Sequence, residues 1–281
     1  MNTTNTLLKA AQKNRILIAA HRGICGGNII QNTYLAYKNA LLHKADIVEM
    51  DIIKSTDGVF YAFHNGKENT VLGTEKDIRT MSAAEIDSYR CKNADGHTVG
   101  QHLEKVKDIL EKLRGQCFIN IDRSWFYWKE TIAFLDSLKM YDQIILKSPV
   151  EEKLLEELEQ SGSPLMYMPI VKTPAEWETV RWYSINTVAA ELIFTNLDSP
   201  FLADGYIENL HKEGILAWVN VITLNDEIVL SGLLDDNRAI ADGVNTVYGK
   251  LRDYGFDIFQ TDWPSLAVGF RDEIRRRAVR M

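Results

Sequence analysis

Two short apolar runs early in the chain each end in ionisable residues. Ile16 to Ala20 runs into His21-Arg22-Gly23, and Ala45 to Asp51 carries Glu49 and Asp51. An imidazole, a guanidinium and two carboxylates delivered at such ends supply acid–base groups, a phosphate clamp and metal ligands in one place. Residues two apart on a strand face the same way, so Glu49 and Asp51 share a face. At roughly 5 to 6 Å, two ionised carboxylates would repel by about 3 kcal/mol at an effective dielectric near 20, equivalent to about two pKa units. Either one is protonated or a cation lies between them.

These residues must be carried by elements that repeat. Strand-like runs recur at Cys117 to Ile121, Gln143 to Leu146, Leu165 to Ile170, Ala189 to Phe194, Ile215 to Val221 and Phe256 to Thr261, making eight with the first two. Helix-compatible segments lie between them, among them Asn32 to His43, Trp125 to Leu138, Glu151 to Gln160, Pro200 to Glu213 and Pro264 to Arg277. Alternation of this kind implies parallel βαβ units, and eight pairs in about 250 residues predict an α/β fold, a (β/α)8 TIM barrel. Residues 1–281 read as one barrel domain. The spacing breaks once, after Asp51: a turn at Thr56-Asp57-Gly58 leads into Val59 to Phe63, and an insertion follows over 65–101. It includes a short helix, Ser82 to Ser88, with Ser82 and Glu85 placed as a capping box. An excursion after the second barrel strand lies beside the active-site mouth, because barrel enzymes build their sites at the C-terminal strand ends.

Composition sets the surroundings. The 281 residues are 46% apolar and 25% charged, with a net charge of −7. This is a globular composition, and its negative field opposes non-specific binding of nucleic acid or of an anionic membrane. The polar start Met1 to Asn5 has no leader pattern and Ile16 to Ala20 is too short to span a bilayer, so the expectation is a cytoplasmic protein with no stable membrane association. Three widely spaced cysteines (Cys25, Cys91, Cys117) fit neither disulfides nor a zinc pattern and are expected to pack. The basic cluster Arg271, Arg275, Arg276, Arg277 and Arg280 reads as the solvated end of a last helix.

The polar residues at strand ends, in order, are His21, Arg22, Glu49, Asp51, Asp122, Arg123, Lys147, Lys172, Glu191, Asn220 and Asp262. With AHRG, Asn32-Thr33, ADIVEMD, STDG, FH and QTDWP in this order, the chain from about Leu17 to Ala267 resembles the glycerophosphodiester phosphodiesterase family. That resemblance implies a barrel using one divalent cation, usually Mg²⁺ or Ca²⁺, to hydrolyse small glycerophosphodiesters to glycerol 3-phosphate and an alcohol. It implies Glu49, Asp51 and Asp122 as metal ligands, and hard carboxylate oxygens suit such ions over zinc. It implies His21 and His64 as general acid and base, which two imidazoles near pKa 6.5 can serve in opposite protonation states. Arg22, following His21, is expected to hold a phosphate oxygen with its guanidinium fork and to serve the phosphate rather than the fold.

In the implied mechanism a glycerol hydroxyl attacks phosphorus, one histidine takes its proton, the other protonates the departing alcohol, and water then opens a cyclic phosphate. Arg123, Lys147 and Lys172 are candidates to supplement Arg22 at the phosphate, and Trp218 to wall the substrate. Phe60, Tyr61, Phe63 and the run Trp125 to Trp128 suggest either an aromatic lip or helix packing. His43, His97, His102 and His211 are weaker candidates for chemistry. The sequence departs from the family pattern at Gln31 and Asn65, where acidic residues are usual, and at Asp122 and Arg123, where Glu and Lys are more often found. Two alternatives follow: lysophospholipase D-like activity on lysophospholipids, or a barrel that binds phosphodiesters or sugar phosphates without turnover.

Overall fold

The computed structural model describes residues 4–279; Met1 to Thr3 of the polar start, and Arg280 of the basic cluster, lie outside. Among the described residues nine strands form one sheet: β1 (Leu17–Ala20), β2 (Ile47–Lys54), β3 (Phe60–Ala62), β4 (Phe118–Asp122), β5 (Ile144–Pro149), β6 (Met166–Val171), β7 (Ala189–Leu192), β8 (Leu216–Asn220) and β9 (Ile258–Thr261). All but β3 pair in parallel, and β9 returns to β1, which pairs β2. The result is the expected closed eight-stranded parallel barrel with helices between its strands. β3 hangs antiparallel on the end of β2, outside the ring.

Strand alternation sorts the barrel's apolar residues into two groups. Ile18, Ala20, Val48, Met50, Ile119, Ile121 and Leu146 pack outward against the helices. Leu17, Ala19, Ile47, Ile145, Met166, Met168, Ala189, Leu216, Trp218 and Ile258 fill the barrel interior. A helix at Thr4–Asn14, unexpected from the sequence, adds Leu7 and Ala11 to this interior group. Burial of each large apolar side chain here contributes about 1.5–3 kcal/mol. Arg271 is buried rather than solvated: it pairs with Asp46 at 2.5 Å, tying the last helix, Pro264–Val279, to the start of β2.

The insertion has its own core. Ile53, Tyr61, Phe63, Val71, Ile78, Met81, Ile86, Cys91 and Leu103 pack together, with Ile30 joining from the barrel side. Ser82 caps the helix Ala83–Ser88 by accepting from Glu85 N, while the Glu85 carboxylate binds Lys76, 2.6 Å away. Of the aromatics read as either a lip or helix packing, Tyr61 and Phe63 join this core, Phe60 and Trp128 are buried against the barrel's helices, and Phe126 is 51% exposed. All three cysteines are free, with Cys91 buried and Cys25 exposed.

Candidate active site

The alternation that fills the barrel interior with apolar residues places, nearer the C-terminal strand ends, Glu49 and Asp51 of β2, Asn120 and Asp122 of β4, Lys147 of β5, Glu191 of β7 and Asn220 of β8. Asp51 and Asp122 are direct partners in the β2–β4 register. One oxygen from each of Glu49, Asp51 and Asp122 lies within 4.8 Å of the others. Glu49 Oε2 accepts from Arg22 N at 2.8 Å, but Oε1 is buried without a hydrogen-bond partner among the described residues. Burial pushes the Glu49 carboxyl well up from its ordinary pKa, and Asp51 and Asp122 push it further. Burial acts on Asp51 in the same direction, yet Arg22, His64, His21 and a hydrogen bond from Asn32 hold it below the ordinary value. Three hard oxygen donors, one of them orphaned and raised by its anionic neighbours, fit a divalent cation of the Mg²⁺ or Ca²⁺ kind.

Arg22 sits where the chain leaves β1, with φ +55°. A non-glycine residue adopts this left-handed conformation only when its surroundings over-determine it. Here Glu49 takes its N–H and Asn32 N donates to its carbonyl at 3.0 Å. Gly23 follows at φ +77°, and a Cβ there would lie 2.6 Å from the Ala36 backbone, so the bend admits no side chain. The guanidinium is not reserved for phosphate. Its Nε lies 2.9 Å from Asp51 Oδ2, an ion pair outside hydrogen-bond alignment, and Nη1 donates to Gln31 Oε1 at 3.1 Å. Gln31 thus receives the hydrogen bond an acid would receive, without the charge. Asn32 donates to Asp51 Oδ2 at 3.0 Å and accepts from Asp51 N and Tyr37 Oη, so the carboxylate is held on two sides.

Both histidines have one nitrogen committed. His21 Nδ1 is 2.7 Å from Asp262 Oδ1, and His64 Nδ1 is 2.7 Å from the Asn65 carbonyl. A carboxylate and a carbonyl can only accept, so each Nδ1 carries the proton and each Nε2 is left as the basic nitrogen. Burial lowers the His64 pKa, with Asp51 opposing and Arg22 and Arg123 reinforcing. The Asn65 side chain accepts from Arg123 Nε at 2.9 Å, and the Arg123 guanidinium also lies 5.5 Å from the centre of the Phe126 ring.

Two sequence candidates, Lys147 and Trp218, are placed differently from expectation. Lys147 is 2% exposed and lies between Asp122 Oδ2 at 2.5 Å and Glu191 Oε2 at 3.0 Å, so its charge is spent on the protein's own carboxylates. Burial would lower its pKa, but Asp122, Glu191 and Glu49 raise it and keep it charged. Trp218 has no exposed surface and donates its indole N–H to Asn220 Oδ1, two residues nearer the mouth; it is floor, not wall. Lys172 is exposed, has no ion pair among the described residues, and its backbone N–H is capped by Glu176. His43 and His211 bind Asn39 O and Asp257, away from the acidic cluster. Trp263, like Phe126, is an exposed aromatic, at 54%; it follows Asp262 in the TDWP stretch and lines a groove of about 590 Å³ with His21, Arg22, Lys67 and Leu224.

Comparisons with known proteins agree with this geometry. The profile of the glycerophosphoryl diester phosphodiesterase family matches residues 21–153, which hold every residue of the acidic cluster and both histidines. A domain of unknown function matches 167–270. A glycerophosphodiester phosphodiesterase of Bacillus subtilis is 24% identical over 243 residues, covering 79% of this chain and 81% of that protein. A mouse lysophospholipase D, GDPD3, is 28% identical over 104 residues, 34% of this chain and 31% of that protein. Among solved structures, a glycerophosphoryl diester phosphodiesterase from Parabacteroides distasonis shares the fold with a TM-score of 0.76 at 16% identity, over 92% of this chain and 87% of that one. A phosphodiesterase from Oleispira antarctica, solved with the product sn-glycerol-3-phosphate, aligns with a TM-score of 0.61 at 16% identity, over 94% and 99%.

Proposed function

We propose, from the match of residues 21–153 to the glycerophosphoryl diester phosphodiesterase family and the likeness to the Bacillus subtilis enzyme, that the chain is a member of that family and hydrolyses glycerophosphodiesters to glycerol 3-phosphate and an alcohol, with His21 and His64 as the acid–base pair. The observation that carries this reading is the pairing of two imidazoles, each with Nδ1–H tied and Nε2 free for proton transfer, with a three-carboxylate cluster on the same barrel rim. Glu49, Asp51 and Asp122 would hold a divalent cation, which when bound offsets negative charge on the phosphoryl oxygens. Arg22, anchored by Asp51 and Gln31, presents the remainder of its guanidinium to a phosphoryl oxygen.

A glycerol hydroxyl attacks phosphorus as one neutral imidazole takes its proton at Nε2, and the other, entering the step protonated at both nitrogens, gives its Nε2 proton to the departing alkoxide. The two exchange roles when water opens the cyclic phosphate, so the pair returns to its starting state. His64, with its lowered pKa, is neutral at neutral pH and suited to take the first proton. Supporting a small-molecule substrate, the Oleispira relative was solved with sn-glycerol-3-phosphate. Among the described residues no helix is long and apolar enough to cross a membrane.

One observation favours the lysophospholipid alternative: Leu224 and Trp263, both exposed, line the groove beside His21, where an acyl chain would lie. The non-catalytic alternative loses force because Gln31 and Asn65 both keep hydrogen bonds inside the site. The test is release of glycerol 3-phosphate from a panel of glycerophosphodiesters and lysophospholipids, with Mg²⁺ or Ca²⁺ supplied. Turnover of the water-soluble diesters supports the proposal. Turnover of lysophospholipids alone favours the second reading, and binding without turnover the third.

A further inference from the structure

Asp236 has no part in the chemistry above, yet its surroundings are as constrained as those of the acidic cluster. It opens the helix Asp236–Asp242, is 1% exposed and has no cation partner among the described residues. Its oxygens receive three donors. Tyr248 Oη donates to Oδ1 at 2.6 Å, Asp262 N donates to Oδ2 at 2.9 Å, and Thr261 Oγ1 lies 2.8 and 2.9 Å from the two oxygens. Burial pushes its carboxyl up to about 7, against the pull of these donors. Burying a carboxylate with no cation is costly, and a neutral isostere would avoid that cost.

The donors show what the carboxylate holds. β9 ends at Thr261, and residues 262 and 263 bridge the gap to the last helix. The Thr261 hydroxyl donates to Asp236 and accepts from Trp263 N at 2.8 Å, so all three residues of this turn hang directly or at one remove on Asp236. The same turn holds His21 twice: Thr261 O accepts the His21 backbone N–H at 3.1 Å, and Asp262 Oδ1 accepts the ring Nδ1–H at 2.7 Å. The Asp262 side chain is 40% exposed, so packing alone does not fix it.

We propose that Asp236 is a positioning residue for His21: through the turn Thr261 to Trp263 it fixes Asp262 where that carboxylate holds Nδ1–H and keeps Nε2 as the reacting nitrogen. This rests on the acid–base role given to His21 above. A structural tie between helix and strand would need only the Tyr248 and Thr261 hydroxyls; the Asp262 N–H contact is the part that a positioning role requires.

Asp236→Asn discriminates, because an amide cannot accept from Tyr248, Thr261 and Asp262 together: one of its two positions becomes a donor facing a donor. The expected result is a folded variant with kcat lowered on the order of 10- to 100-fold and KM changed by less than about threefold. In proton NMR without substrate, the downfield His21 Nδ1–H resonance should move or broaden as its exchange with water quickens. Tyr248→Phe removes a donor from the same carboxylate but spares Asp262 N–H, and should change kcat by less than about threefold. Should Asp236→Asn fail to fold, the Thr261 pair decides: Thr261→Val should repeat the kcat loss and the NMR change, and Thr261→Ser, which keeps the hydroxyl, should restore both. Wild-type kcat with an unmoved His21 resonance in Asp236→Asn, or equal behaviour of Thr261→Val and Thr261→Ser, would overturn the proposal. A wild type that turns over no glycerophosphodiester defeats the functional reading instead, and the NMR comparison then still decides for or against Asp236.

Discussion

Lys147 Nζ lies 2.5 Å from Asp122 Oδ2 and faces Glu191 on its other side, so one buried ammonium balances a carboxylate of the candidate cation site against one deeper in the barrel. Lys147→Met strands both acids without their cation and should destabilise the fold by about 3–5 kcal/mol. Adding Glu191→Leu, which removes the more deeply buried acid, should recover part of that loss. Urea denaturation of the single and double variants measures it. A Lys147→Met protein of wild-type stability with weakened phosphodiester binding would show that the lysine serves substrate after all.

A divalent cation should raise the melting temperature of the folded protein, and chelator should remove the gain, because a ligand bound only by the native state stabilises it by mass action, about 2.7 kcal/mol at 100 times Kd. Asp51→Asn, which removes one of the three converging charges, should reduce the gain. Melting curves that do not respond to Mg²⁺ or Ca²⁺ in the wild type would contradict the assignment of Glu49, Asp51 and Asp122.

Single His21→Ala and His64→Ala variants should each lose on the order of 10² to 10⁴ in kcat, and the double variant should be little worse, since the two groups serve one proton cycle. Because burial lowers the His64 pKa, that base stays neutral further into acid, and the acid limb of the pH–rate profile should lie below the ordinary imidazole range. Asn65→Asp adds a negative neighbour and should move that limb upward. The same shift links to stability: unfolded His64 takes up a proton near pH 6.5 where the native ring does not. Its contribution is therefore present above that pH and is lost as pH falls below it. An acid limb unmoved by Asn65→Asp would take His64 out of the base role.

Arg22→Lys keeps the charge but loses the fork that spans Asp51, Gln31 and the phosphoryl oxygen. It should lower kcat/KM by at least about tenfold, with a modest fall in melting temperature because Asp51 loses its ion-pair partner. Undiminished turnover would reduce Arg22 to a structural role.

Much of this site is written in local sequence. Apolar runs that end in His21 and Asp122 announce strand ends, the run ending in Asp51 marks where β2 stops pairing with β4 although β2 itself continues to Lys54, and the broken spacing after Asp51 announces the insertion with its own core. What escapes local reading is pairing across the barrel. Lys147 meets acids 25 residues before it and 44 after it, which no spacing rule connects. Trp218 shares its face with Asn220 but is two residues deeper, and strand alternation alone would have marked it as floor. Asp262 is visible in the TDWP stretch, but its bond to His21 spans 241 residues. Asp236 and the helix Thr4–Asn14 belong to no strand-end pattern; the barrel's closure is what brings them to the turn after β9 and to the interior apolar core.

The most direct measurement follows the phosphorus itself: ³¹P NMR of the wild-type protein with glycerophosphoethanolamine and Mg²⁺. The expected result is loss of the diester resonance and growth of the glycerol 3-phosphate monoester, through a transient cyclic diester that accumulates when the second step is slowed. A diester resonance that stays unchanged with Mg²⁺ and with Ca²⁺, while the protein remains folded, would contradict the proposal that this barrel is a glycerophosphodiester hydrolase.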